Sequence, residues 1–150
     1  MTALVSNETI AEITQTFWGA YLPDAGELTL TANLPEIDDV RARVDIDGAW
    51  IGSVEVSCSM RVARTVASVM FAMPPEEIAA SDVSDAVGEL VNVVGGNIKS
   101  ILPVPTSLSI PVLDDPGEWR FEAVLESEVL LSWGGEPVVV RVWRPEGPSA

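Results

Sequence analysis

Residues 82–102 read DVSDAVGELVNVVGGNIKSIL, and their apolar side chains recur every three or four positions, which predicts a long α-helix. Ser81 is a candidate N-cap in front of this segment, and Pro103 behind it cannot continue a helix. The residues predicted to face the core are Val83, Ala86, Val87, Leu90, Val94, Ile98 and Ile101. We expect the remaining elements of the fold to be arranged around this helix.

The opposite face of the predicted helix combines polar side chains with bare backbone. Within about 60° of Asn92 on a helical wheel lie Asp85, Gly88, Glu89, Gly95, Gly96 and Lys99. Glu89 and Asn92 are three residues apart, so their side chains are neighbours over one turn. Each glycine costs a helix up to about 1 kcal/mol relative to alanine. Their presence therefore favours a face that another molecule approaches closely.

The rest of the chain predicts a mixed fold. Helices are predicted over residues 7–21 and 60–72, and strands over residues 27–34, 40–46, 49–58, 106–112, 119–133 and 137–144. Pro111 breaks the strand over 106–112, which predicts an edge strand or the end of one. The strand over 119–133 alternates with one parity along its whole length, and Arg41 and Arg43 are predicted to be exposed. The order α-β-β-β-α-α-β-β-β predicts a two-layer α+β domain in which helices cover a largely antiparallel sheet.

The composition excludes several classes of function. A formal net charge of −15 argues against binding to nucleic acid or to an anionic membrane surface. The chain has no histidine and a single cysteine, Cys58, so a His/Cys zinc site and the His-dependent catalytic triads and dyads are unavailable. No apolar run approaches the ~18 residues of a membrane helix, and no signal peptide opens the chain. We expect one cytoplasmic domain over residues 1–150.

The pattern Glu89-x-x-Asn92-x-x-x-Gly96-Asn97 resembles the active helix of the CheX/CheC/FliY chemotaxis phosphatases, and that of CheX most closely. The order of elements also suits a CheX-like domain along most of the chain. The resemblance implies a CheC/CheX-like fold, a possible homodimer, and hydrolysis in trans of the phospho-aspartate on a CheY-like response-regulator receiver domain. It assigns Asn92 to positioning the attacking water and Glu89 to contact with the receiver.

The chemistry that this resemblance implies needs little from the protein itself. A receiver domain already holds Mg²⁺ and a lysine against its phosphoryl group, so no cofactor or metal of the chain's own is expected. What remains is to hold a water in line with the leaving oxygen. The neutral amide of Asn92 can do this without adding negative charge beside the phosphoryl group. Glu89 can pair with the receiver's lysine.

The other polar residues of this face are candidate partner-binding residues. Gly88, Gly95 and Gly96 would let the receiver backbone approach, Asp85 lies in the first turns of the same stripe, and Lys99 could hold an acidic residue of the receiver. Asn97 lies about 140° from Asn92 and is interpreted as a structural hydrogen-bonding residue that satisfies buried backbone.

Two alternatives stay open at this point. The chain could be a non-catalytic signalling module that binds a receiver or another partner through the same helix. It could also be a dimeric structural domain whose glycine-lined face packs on another helix. Glu12 and Gln15 repeat the Glu-x-x-amide spacing in the first predicted helix, but no Gly-Asn follows them. We interpret that pair as a solvated face and not as a second site.

Overall fold

The computed structural model describes residues 5–22, 26–32, 40–102, 105–113 and 123–145. In these ranges the helices are α1 (Asn7–Tyr21), α2 (Met60–Phe71) and α3 (Ala80–Ile101), with a 3₁₀ turn at Pro75–Glu77. The strands are β1 (Leu28–Leu30), β2 (Val40–Gly48), β3 (Gly52–Cys58), β4 (Thr106–Leu108), β5 (Val112–Leu113), β6 (Ala123–Trp133) and β7 (Glu136–Pro145).

The strands form one antiparallel sheet in the order β1-β6-β7-β3-β2-β4, and β5 also pairs with β2. Alternate residues of the strands, such as Val44 and Val56, join the apolar faces of the helices in one buried core. The residues between them, such as Arg43 and Glu55, point to the other side of the sheet. The predicted class, a two-layer α+β domain with an antiparallel sheet covered by helices, is confirmed.

The side of the sheet opposite the helices carries a buried network of charges. Asp45 accepts hydrogen bonds from Ser53 Oγ at 2.6 Å and from Arg43 Nε at 3.4 Å. Arg141 contacts Glu55 at 3.3 Å, and Glu55 is only 2% exposed. The prediction that Arg43 is an exposed strand residue is therefore wrong, because its neighbours in the sheet bury and pair it.

Helix α3 starts two residues earlier than the predicted N-cap Ser81 implies. Its N-cap is Ala79, whose backbone N–H donates to the Asp82 carboxylate at 2.8 Å. Ser81 is consequently inside the helix, because the acidic side chain three residues after the cap satisfies the first backbone donor. At the other end of the helix, Ile101 is half exposed. The prediction that it faces the core is therefore wrong.

Two predicted strands are interrupted. The strand predicted over residues 106–112 is divided into β4 and β5, both on the outer edge of β2. The single parity predicted for the long strand is broken by a bulge between Leu125 and Ser127, which leaves Leu125 exposed. Pro103, the first residues of that long predicted strand (119–122) and residues 33–34 of the first predicted strand lie outside the described residues.

Candidate functional site

Helix α3 presents its mixed polar face beside the edge of the sheet. Its apolar stripe is fully buried at Val87, Leu90 and Val94. Next to that stripe, an open groove of about 570 Å³ runs between α3 and residues 106–113, which comprise β4, β5 and the residues between them. We call this segment the β4–β5 edge. The groove is lined by Ser84, Asp85, Gly88, Glu89, Asn92, Leu108, Ser109, Ile110, Pro111 and Leu113.

Glu89 and Asn92 lie together on the helical wall of this groove, as their spacing predicts. Glu89 is exposed and Asn92 is half-buried. Neither side chain forms a hydrogen bond or an ion pair with any residue in the described ranges. Both are therefore free to bind a molecule that enters the groove, with the carboxylate one helical turn before the amide.

The opposite wall of the groove is apolar and comes from the β4–β5 edge. Leu108 and Leu113 are half-buried and pack against the core, whereas Ile110 between them is 83% exposed. The sequence predicted a short edge strand over residues 106–112 that Pro111 breaks, and the structure places this segment at the edge of the sheet. Sequence reasoning missed only that the segment lies opposite Glu89 and Asn92, because no local pattern gives its position relative to α3.

The three glycines of α3 have different surroundings. A Cβ atom on Gly95 would overlap Val44 Cγ2 of β2, so glycine at this position lets the helix pack closely on the sheet. A Cβ atom on Gly88 would meet Leu113 Cδ1 at 3.6 Å, and one on Gly96 would meet only Leu108 Cδ2 at 3.8 Å. Gly88 and Gly95 are buried. The expectation that Gly95 lies on an open face is wrong, because β2 covers it, whereas Gly88 lines the groove although it is buried.

The remaining predicted residues divide between the groove and its surroundings. Asp85 is exposed and lines the groove one turn before Glu89. Lys99 is half-buried in the last turn of α3 and does not line the groove. Asn97 is exposed, and its Nδ2 donates to the Val93 carbonyl of its own helix at 2.9 Å. It hydrogen-bonds backbone as predicted, but at the surface and not in the core.

The Glu12 and Gln15 pair on α1 has a structural explanation. Gln15 Nε2 donates to the Leu28 carbonyl at 3.0 Å and so ties α1 to the start of β1. Glu12 remains exposed. The amide that a second site would need is thus engaged within the fold. The interpretation of the pair as a solvated face holds for Glu12 and is wrong for Gln15, because Gln15 is half-buried against β1.

The described ranges contain neither a cluster of potential metal ligands nor a helix that could span a membrane. No three acidic or cysteine side chains there come together as a potential metal site. No helix in those ranges is both long enough and apolar enough to span a membrane.

Comparison with known structures identifies the fold. CheX from Vibrio vulnificus superposes with a TM-score of 0.74 at 17% identity, over 95% of this chain and 98% of that chain. The CheX–CheY–BeF₃–Mg²⁺ complex from Borrelia burgdorferi gives a TM-score of 0.67 at 17% identity, over 96% and 100%. A CheC-like superfamily protein from Shewanella sp. PV-4 gives 0.68 at 18% identity, over 92% and 95%.

Sequence comparison identifies the family. No functionally curated protein matches the chain. The family model for the chemotaxis phosphatase CheX matches residues 40–130, which is more than half of the 150 residues and includes all of α3. The chain therefore belongs to the CheX family of chemotaxis phosphatases.

Proposed function

We propose that this protein hydrolyses the phospho-aspartate of a CheY-like receiver domain, with Asn92 positioning the attacking water and Glu89 docking the receiver. The observation that carries the proposal is the placement of these two side chains, unpaired and one turn apart, on the wall of an open groove. Membership of the CheX family supports the reaction class, and the CheX–CheY complex supports the kind of partner.

Asn92 supplies the chemical element of the reaction. Its amide oxygen accepts a hydrogen bond from the water, and its position on a rigid helix holds that water in line with the bond that breaks. Asn92 is only partly exposed, so protein atoms surround part of its side chain. This limits the number of orientations that its amide adopts, and a fixed orientation is the source of rate in a reaction that depends on positioning.

Glu89 supplies the orientation of the partner. Its carboxylate would pair with the receiver's active-site lysine, and Asp85 one turn earlier adds a second negative charge to the same wall. The backbone at Gly88 and Gly96 and the ammonium group of Lys99 are the further contacts that we propose with the receiver. Gly95 is better explained by its packing on Val44.

The metal in this reaction belongs to the substrate. Mg²⁺ bound by the receiver would neutralise charge on the phosphoryl group as the water attacks. The chain contributes the water-positioning amide and the docking carboxylate. A homodimer and a cytoplasmic location stay predictions, as does the extent of the domain over residues 1–150.

The decisive test is the lifetime of the phosphorylated receiver with and without the protein. Receivers encoded alongside the chain are labelled with a small-molecule phosphodonor, and the loss of phosphate is followed over time. We expect a rate that increases with protein concentration and saturates. A receiver that binds while its phosphate lifetime is unchanged or longer would instead identify a non-catalytic binding module.

A further inference from the structure

The β4–β5 edge contains a bulge at the site groove. Ile46 pairs with Leu108 on one side of it, and Arg43 pairs with Val112 on the other. Two residues of β2 (44 and 45) therefore face three residues of the edge (109 to 111). An extra residue of this kind interrupts the regular alternation of side chains between the two faces of the sheet. Bulges are common beside active sites. Here the residue at the centre of the bulge is Ile110.

Hydrogen bonds hold the bulge in place. The Ser109 N–H donates to the Asp45 carbonyl at 2.9 Å, and the Asp45 N–H donates to Ser109 Oγ at 2.9 Å. Ser109 Oγ in turn donates to the carbonyl of Ile110 at 2.9 Å. Pro111 follows with a restricted φ angle and no N–H to satisfy. The backbone on both sides of Ile110 is therefore constrained, and the side chain is displayed from a fixed position.

Ile110 is the most exposed large apolar side chain that the described residues contain, at 83%. A single exposed isoleucine is ordinary on a protein surface. This one, however, stands on the groove wall opposite Glu89 and Asn92, and its apolar neighbours Leu108 and Leu113 continue the same wall.

The two walls of the groove define the chemistry of its occupant. The helical wall carries the negative charges of Asp85 and Glu89, and among the described residues no lysine or arginine lines the groove. The other wall is apolar. The groove therefore fits a surface that places a cation beside an apolar strip, and the lysine beside the phosphoryl group of a receiver provides such a cation.

We propose that Ile110 is a specificity-determining contact for the phosphorylated receiver, packing on an apolar strip next to the receiver's active-site lysine. The inference rests on the proposed function, since it takes the same partner in the same groove. Ile110 contributes binding and orientation, whereas Asn92 acts on the water. The two residues should therefore affect different kinetic constants.

The test compares Ile110→Ser with wild type and with Leu30→Ser. Leu30 is 58% exposed on β1, at the opposite edge of the sheet from β4, so it controls for removal of an exposed aliphatic side chain. Affinity for the BeF₃⁻–Mg²⁺ form of each candidate receiver is measured by titration calorimetry, and KM and kcat are measured with the phosphorylated receiver. Circular dichroism and thermal unfolding verify that both variants fold.

We expect Ile110→Ser to weaken binding and to raise KM by about five- to tenfold, because the serine side chain buries less apolar area against the receiver. The kcat should stay within twofold of wild type. Leu30→Ser should match wild type, and Ile110→Leu should restore most of the affinity. Unchanged affinity and KM in Ile110→Ser would overturn the inference, as would a loss confined to kcat. Self-association that Ile110→Ser abolishes, without an effect on receiver binding, would assign the contact to a second copy and also overturn it.

The two proposals fail in different ways. If wild type binds and accelerates while Ile110→Ser behaves identically, the proposed function stands and the Ile110 contact is wrong. If wild type binds without accelerating and Ile110→Ser binds more weakly, the contact stands and the phosphatase function is wrong. Binding to none of the receivers would overturn both.

Discussion

Gly95 of α3 lies directly on Val44 of β2, so close that a Cβ atom on Gly95 would overlap Val44 Cγ2. This contact sets the distance between the site helix and the sheet. It therefore also sets the distance between the groove wall that carries Glu89 and Asn92 and the β4–β5 edge. The glycine that looked in the sequence like part of a docking face is thus a packing residue of the fold.

Gly95→Ala should destabilise the protein, because the new methyl group forces β2 or α3 to shift. Overpacking costs about 1–3 kcal/mol, and the gain in helix propensity returns up to about 1 kcal/mol, so a net loss of about 1–2 kcal/mol is expected. Urea unfolding followed by tryptophan fluorescence measures it.

Gly96→Ala is the matched control for that substitution. Its Cβ atom would meet only Leu108 Cδ2 at 3.8 Å, which is an ordinary contact. We expect this variant to be as stable as wild type or more stable by about 0.5–1 kcal/mol, from helix propensity alone. Equal losses in the two variants would contradict the assignment of Gly95 as the point of close packing.

Asn92→Ala should remove the acceleration of receiver dephosphorylation while binding of the receiver is retained. Loss of a single positioned hydrogen-bonding group costs on the order of 10²-fold or more in rate. Stopped-flow measurement of the dephosphorylation rate of a phosphorylated receiver, together with calorimetric measurement of affinity for its BeF₃⁻ form, separates the effect on rate from the effect on binding. Asn97→Ala is the control, because Asn97 lies on the same helix but bonds the Val93 carbonyl. Similar rates in the two variants would argue against the role of Asn92.

Glu89→Gln should weaken receiver binding by about tenfold, because a charge-assisted hydrogen bond to a lysine becomes a neutral one. The difference from wild type should diminish as salt is raised, since screening weakens the wild-type ion pair. Titration calorimetry at two ionic strengths measures both effects. Glu12→Gln on α1, also an exposed helical glutamate, should bind like wild type. A salt-independent loss in Glu89→Gln would point to shape and not to charge.

Glu55→Gln should lower the free energy of unfolding by about 1–3 kcal/mol, because Arg41 loses the carboxylate that it contacts and Arg141 loses one carboxylate while it keeps Glu128. Glu55 is 3% exposed at its side chain and contacts Arg141 at 3.3 Å and Arg41 at 3.8 Å. Urea unfolding measures the loss, and Glu126→Gln, at the half-exposed bulge of β6, is the control. A change below 1 kcal/mol would show that this network is solvated in the folded protein.

Local patterns in the sequence were sufficient for most of the elements. The spacing of apolar residues predicted α3 to within two residues at its start and one at its end, and the alternation in residues 40–46 predicted the core of β2. The juxtaposition of Glu89 and Asn92 followed in the same way. All of these depend only on the geometry of a helix or a strand, which relates residues a few positions apart.

The sequence by itself therefore determined the helix, its apolar stripe and the placement of Glu89 and Asn92, the two residues on which the proposed function rests. Only the tertiary structure decided what lies opposite that pair. The Ile46–Leu108 and Arg43–Val112 pairings join residues more than sixty positions apart, and no local period encodes them. They bring Ile110 to the groove and Leu113 over Gly88, because an edge strand folds back beside a helix that precedes it in the chain. Gly95 is buried by another contact between distant residues, the packing of α3 on Val44.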